Sequence, residues 1–392
     1  MKPANRLFQD LGTTVFEVMS RLAIAHEAIN LGQGFPDEDG PEDVRRIAAE
    51  TVIDGSNQYP PMLGLAELRQ AVAAHEKRFY GLDVDWRSEV LVTSGATEAL
   101  ADCLFGLIEP GDEVVLIEPL YDSYLPIVRR AGGVPKPVRV TPPDWALDPD
   151  ALKAAFSDRT KLILLNNPHN PAAKVFTRPE LELIAELILR HDAYAVCDEV
   201  YEHIVFDGRP HVPLITLPGM RQRCLKLGSA GKTFSLTGWK VGYVTAAPEL
   251  LQPVAKTHQF MTFTTAPNLQ KAVAYGLGKE DAYYRELAGE LQRKRDRLAA
   301  GLNEIGFGVI DCQGTYFITA DVRPLGLEQE DVEACRTLTV KAGVTAIPVS
   351  AFYGADAPKH FIRFCFSKQD EVLDAALERL AAYAGKRAAR SA

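Results

Sequence analysis

Between residues 89 and 246, seven short apolar runs recur with helix-like stretches between most of them. This alternation constrains the fold more than any other feature. The runs cover 89–93, Glu113–Glu118, 134–140, 161–166, Tyr194–Asp198, 223–228 and 240–246. A stretch at 65–80 places Leu65, Leu68, Val72 and Phe79 along one helical face, and one at 178–191 does the same with Leu181, Ile184, Ala185 and Ile188. Strands alternating with helices predict an α/β fold, here with a mostly parallel seven-stranded sheet. In such sheets, binding groups collect at the carboxyl ends of the strands.

The pattern changes near residue 280. A long helical stretch at 280–305 leads to apolar runs at 307–312, 316–321, 344–349 and 361–366, which read as a smaller α+β domain. The first 40 residues read as an irregular arm. The expected division is therefore 1–40 as arm and part of the small domain, 41–280 as the large domain, and 281–392 as the small domain. A chain of 392 residues has room for this arrangement.

Composition narrows the class of function. The net charge is -9 with no standout basic block, which argues against a nucleic-acid partner. No apolar run approaches the roughly 18 residues of a membrane helix, and no hydrophobic segment follows the N-terminus as in a secretory signal. Six cysteines are scattered without CxxC pairs or metal-ligand spacing, so no metal is expected and a reducing cytoplasm is.

Five motifs carry chemistry. Ser94-Gly95-Ala96-Thr97-Glu98 follows a strand and opens a helix, so its backbone N–H groups can face an anion. Asn166-Asn167-Pro168-His169-Asn170-Pro171 ends another strand in a stiff loop that can fix a side-chain amide. His169 has no catalytic partner nearby in sequence, which favours a loop role for it. Asp198 ends the run Tyr194–Asp198, where a carboxylate faces the sheet crevice and requires a cation; Tyr201 follows three residues later. Arg363 stands inside the apolar run Phe361-Ile362-Arg363-Phe364-Cys365-Phe366, where a guanidinium suits a planar anion. The fifth motif is Gly228-Ser229-Ala230-Gly231-Lys232-Thr233, with Lys240 eight residues beyond Lys232. Its Gly231-Lys232-Thr233 resembles the end of a nucleotide-binding loop, but the glycine required five residues earlier is Lys226. The stretch suits a lysine that bonds an aldehyde with a phosphate held close by, and its alternative is a surface lysine in a polar turn.

In this order the motifs resemble the class I/II aminotransferases of the fold type I, pyridoxal 5'-phosphate-dependent group, from about Asn30 to Lys368. Asn30-Leu-Gly-Gln-Gly-Phe-Pro-Asp37, Asn57-Gln-Tyr59, Tyr121-Asp-Ser-Tyr124, Gly238-Trp-Lys240 and Gly314-Thr-Tyr-Phe317 are similar to the kynurenine aminotransferase (glutamine transaminase K) and bacterial methionine aminotransferase branch. The resemblance implies that Lys232 forms the Schiff base with the cofactor and then carries the proton at the substrate Cα. Asp198 would pair with the pyridinium nitrogen. Tyr201 and Asn170 would bond the ring oxygen, and Tyr121 would stack on the ring. The Gly95-Ala96-Thr97 turn, Ser229 and Lys240 would hold the phosphate. Arg363, with Asn170 and the backbone of Gly34, would grip the substrate carboxylate.

A homodimer is implied as well. Tyr59 would reach the neighbouring subunit's phosphate, while Phe16 and the neighbour's Phe263 would line the side-chain pocket. The implied reaction moves an amino group from a neutral, bulky or aromatic amino acid, of the methionine, glutamine, phenylalanine or kynurenine type, to a 2-oxo acid. The alternatives are β-elimination from cysteine conjugates and succinyl-diaminopimelate transamination. The latter substrate carries an additional carboxylate and requires a further cation.

Overall fold

The computed structural model describes residues 2–9, 11–327 and 330–391. Its main sheet has the order Val90–Thr93, Gly242–Ala246, Cys224–Ser229, Tyr194–Asp198, Thr160–Asn166, Glu113–Glu118, Val134–Thr141, Ala146–Leu147. The five strands Cys224–Ser229, Tyr194–Asp198, Thr160–Asn166, Glu113–Glu118 and Val134–Thr141 are mutually parallel. Gly242–Ala246 is antiparallel to both neighbours, so Val90–Thr93 runs with the parallel set. The eighth strand, Ala146–Leu147, pairs antiparallel at the edge. Two residues are too few to show a period, which is why the sequence suggests only seven strands.

Central strands such as Glu113–Glu118 and Cys224–Ser229 are buried along their whole length. That explains their continuous apolar character, since helices cover both faces of the sheet. One covering helix, Arg178–Arg190, starts with a reciprocal capping box between Thr177 and Glu180. Its Leu181, Ile184, Ala185 and Ile188 are buried, as their spacing predicts.

Lys226, the residue that breaks the nucleotide-loop pattern, has a structural position. It is 1% exposed, and its Nζ lies 2.7 Å from both Glu76 Oε1 and Glu202 Oε2. Glu202 also accepts from the Tyr80 hydroxyl at 2.6 Å. The triad joins the strand ending at Ser229 to the segment that follows Asp198, behind the sheet's carboxyl edge. Removing the lysine would strand two buried carboxylates. Lys226→Met is therefore expected to destabilise the fold by about 3–5 kcal/mol in urea unfolding, and a loss under about 1 kcal/mol would contradict this account.

The smaller sheet is antiparallel, in the order Gly308–Val309, Phe317–Asp321, Phe361–Cys365, Ile347–Pro348. The helix Asp281–Ile305 and the C-terminal helix Asp370–Ser391 pack beside it. The N-terminal arm is not irregular, contrary to the sequence expectation. It contains the helix Val15–Ala25, capped by the Thr14 hydroxyl accepting from Glu17 N at 3.3 Å. That helix buries Met19 and Ala23, and Met19 joins the core around the smaller sheet. Ile29–Asn30 then pairs in parallel with Val344–Thr345. Among the described residues, no helix is long and apolar enough to cross a membrane.

Candidate active site

Five turns meet at one edge of the main sheet, because five of its strands end there in the same direction. They carry Gly95-Ala96-Thr97, Tyr121, Asn170, Asp198 with Tyr201, and Ser229 with Lys232. Lys240 arrives at the same edge because Gly242–Ala246 starts there, running the opposite way. These residues line a cavity of about 180 Å³. A second cavity of about 160 Å³ adjoins it, and Tyr121, Asn170, Tyr201 and Lys232 line both. Phe16, Gly34, Asp122, Phe317 and Arg363 contribute to the second.

One end of the first cavity is built for an anion. The helix Ala96–Leu107 opens there, and Gly95 caps it with φ at 85°. A Cβ at Gly95 would come within 3.0 Å of Lys240 Cε, so glycine lets the ammonium lie across the helix N-terminus. Lys240 itself takes a left-handed φ of 52°, a conformation that costs free energy for a residue with a side chain. Ser229 ends its strand beside them and is 9% exposed.

Lys232 stands at the centre. Its Nζ donates to the Tyr316 hydroxyl at 2.6 Å, and that hydroxyl donates to the Gly34 carbonyl at 2.8 Å. Burial pulls the amine down to about 8; Cys365 and Asp198 oppose this, whereas Arg363 and Lys240 add to it. An amine with that affinity is partly unprotonated near neutral pH, the form that attacks an aldehyde or accepts a proton.

Asp198 Oδ2 accepts from the Tyr124 hydroxyl at 2.5 Å, and its Oδ1 receives a long bond of 3.4 Å from Val200 N. Burial raises its pKa, and the Tyr124 bond opposes that rise. A cation beside it would offset the desolvation. Tyr201 is 3% exposed and packs edge-on against Tyr316, with ring centroids 5.3 Å apart. Asn166 orients the loop beyond it, accepting from Asn170 N at 2.6 Å and donating to the Asp198 carbonyl at 2.9 Å.

Arg363 is 1% exposed. It donates to Asn170 Oδ1 at 2.8 Å and to the Gly32 carbonyl at 3.3 Å, while its Nε has no partner. The guanidinium carbon lies 3.8 Å from the Phe317 ring centroid, 5.0 Å from Phe352 and 5.4 Å from Phe16. Burial holds its pKa down near 10. Among the described residues, no carboxylate forms an ion pair with Lys232, Lys240 or Arg363.

Tyr59 and Phe263, which the resemblance assigns to a neighbouring copy of the chain, are on the surface of this one. Tyr59 is 84% exposed and Phe263 39%, stacked edge-on against each other at 5.6 Å, and neither lines this chain's cavities. The Gly34 carbonyl accepts from Tyr316, Arg363 donates to the Gly32 carbonyl, and Gly34 lines the same cavity as Arg363. His169 faces the Ile117 carbonyl at 3.3 Å, and burial lowers its pKa to about 4, which fits a loop role. The sequence reading missed the contacts of Tyr124 and Tyr316, although both lie in motifs it singled out. Only the folded chain puts Tyr124 beside Asp198, 74 residues away.

The residues fit pyridoxal 5'-phosphate. Gly95-Ala96-Thr97, Ser229 and Lys240 could hold its phosphate, Lys232 its aldehyde and Asp198 its ring nitrogen. Comparison with known proteins agrees in scope. The family described as "Aminotransferase class I and II" matches residues 26–380. A Mycobacterium tuberculosis protein described as a probable N-succinyldiaminopimelate aminotransferase is 47% identical over 383 residues, covering 95% of this chain and 96% of its own. A mouse kynurenine–oxoglutarate transaminase is 40% identical over 406 residues, covering 96% and 89%. A solved Escherichia coli structure with a methionine aminotransferase function superposes with a TM-score of 0.94 at 40% identity, covering 97% of this chain and 100% of that one.

Proposed function

This chain belongs to the class I and II aminotransferases, which depend on pyridoxal 5'-phosphate, and from that premise we propose how its residues divide the work and which donors it takes. The observation that carries the reading is the set of three cations, Lys232, Lys240 and Arg363, converging on adjoining cavities without an ion-pair partner among the described residues. When bound, the cofactor supplies an aldehyde for the amino group and a ring that draws negative charge from the substrate Cα.

The chain's own residues do the rest. Lys240, Ser229 and the N–H groups at Ala96 and Thr97 fix the phosphate. Asp198, braced by Tyr124, keeps the ring nitrogen protonated. Tyr201 and Asn170 hold the ring oxygen, and Tyr121 covers the ring face. Arg363 binds the substrate carboxylate through its fork, with Phe317 beneath it. Lys232 would hold the cofactor's aldehyde and would carry the proton at the substrate Cα. The exposed Tyr59 and Phe263 serve a second copy of the chain in a cytoplasmic homodimer.

Phe16, Phe35, Tyr121 and Phe317 give the second cavity an aromatic lining. Among the described residues, the acidic side chain lining it beside Arg363 and Lys232 is that of Asp122, which would repel a second carboxylate. Neutral, bulky or aromatic donors follow from this. A second reading, N-succinyl-diaminopimelate as donor, is favoured by the similarity to the Mycobacterium tuberculosis protein. A donor panel separates the two. Methionine, glutamine, phenylalanine or kynurenine should exceed glutamate and aspartate in kcat/KM by about tenfold or more. The second reading would replace the first if N-succinyl-diaminopimelate exceeded every neutral donor.

A further inference from the structure

Tyr316 belongs to no role assigned so far, yet its oxygen is the group nearest the Lys232 amine. The ring is 1% exposed and wedged between Tyr201 and Phe317, whose centroids lie 5.3 and 4.8 Å away. Its hydroxyl proton is committed, because the Gly34 carbonyl at 2.8 Å can only accept. Toward Lys232, then, the Tyr316 oxygen acts only as an acceptor at 2.6 Å.

We propose that Tyr316 is a positioning residue for Lys232, fixing the direction of the amine's lone pair and tying that direction to the arm through Gly34. A neutral amine has two N–H bonds and one lone pair. With one N–H held on the phenol oxygen, the lone pair is confined to the two remaining staggered directions, both away from Tyr316. The arm takes part because Gly34 lies against the same ring system: a Cβ there would stand 2.8 Å from Phe317 Cζ. Gly34 also lines the cavity that holds Arg363, so the proton carrier and the carboxylate-binding cavity share one hydrogen-bonded chain. The inference rests on the reading of Lys232 as the amine that moves the Cα proton.

The groups facing Lys232 from the surrounding elements are Asp198, Tyr201, Lys240, Arg363 and Cys365 besides Tyr316. An acceptor bond favours the ammonium form, so losing it should lower the lysine's pKa further. Tyr316→Phe removes one oxygen and keeps the ring's packing. Lysine ¹³Cε–¹⁵Nζ NMR on the cofactor-free chain, assigned with Lys232→Arg, should show Lys232 titrating roughly one unit lower in the variant. In the holoenzyme, kcat should fall about 10- to 100-fold with KM changed less than about threefold, and the isotope effect from an α-deuterated donor should rise. A merely structural tyrosine would lower thermal stability and move neither the titration nor the isotope effect; that result overturns the proposal. The Lys232→Ala variant separates the two failures. If it is inactive while Tyr316→Phe behaves as wild type, this inference alone falls. If Lys232→Ala stays active, the underlying reading falls too.

Discussion

Lys232→Ala should lose the amino-transfer half-reaction, with the rate falling by roughly four orders of magnitude or more. The alanine methyl group can neither bond an aldehyde nor carry a proton, and the cavity's other amine, Lys240, lies at its anion end beside Gly95. Asp198 is tied to Tyr124, and the Tyr201 phenol is pushed well above its ordinary range by burial. The lysine makes no ion pair, so its removal should leave the fold intact. The phosphate groups, Ser229 and Lys240, also remain, so the variant should still bind the cofactor without a covalent bond. Single-turnover kinetics alongside thermal unfolding checks both halves of this expectation. Lost activity with a collapsed melting temperature would mean a structural role instead.

Arg363→Ala should act on binding. The guanidinium is desolvated and has no carboxylate ion-pair partner among the described residues, so a substrate carboxylate is the anion that would compensate it. Losing such a contact costs about 2–5 kcal/mol, which raises the KM for amino donors by about 30-fold or more. Arg363→Lys should recover only part of this, because an ammonium cannot form the planar fork that Arg363 offers beside Asn170. A KM unchanged in Arg363→Ala, measured across the donor panel, would remove the arginine from the substrate site.

The two variants also mark what was legible in the sequence. Lys232, Asp198 and Arg363 stand out because each places a charged group at a strand end or inside an apolar strand; the main sheet brings Asp198 and Lys232 to one edge, and the smaller sheet presents Arg363 to the cavity that Lys232 also lines. The strands Glu113–Glu118 and Tyr194–Asp198 match their apolar runs at both ends, because a strand buried on both faces has nothing to interrupt it. The smaller sheet and the segments around it were harder to read. The run 344–349 divides into Val344–Thr345 and Ile347–Pro348, because the first pairs with Ile29–Asn30 of the arm and the second with Phe361–Cys365. The first of these pairings joins segments more than 300 residues apart, which leaves no local trace. The arm helix Val15–Ala25 was overlooked for a similar reason, since its apolar face gains meaning only against the smaller sheet. Tyr124 and Tyr316 were visible as motif members, but a phenol's role depends on what its oxygen meets, and both partners are distant in sequence.

The central claim is that one lysine, among the cations converging on the sheet edge, holds the cofactor covalently. Borohydride reduction of the purified holoprotein, followed by proteolysis and peptide mass spectrometry, tests it most directly. The account predicts a pyridoxyl-phosphate mass increment on the peptide containing Lys232, absent from the Lys232→Ala protein. An increment on Lys240 or on any other lysine, or none on Lys232 in protein saturated with cofactor, would contradict it.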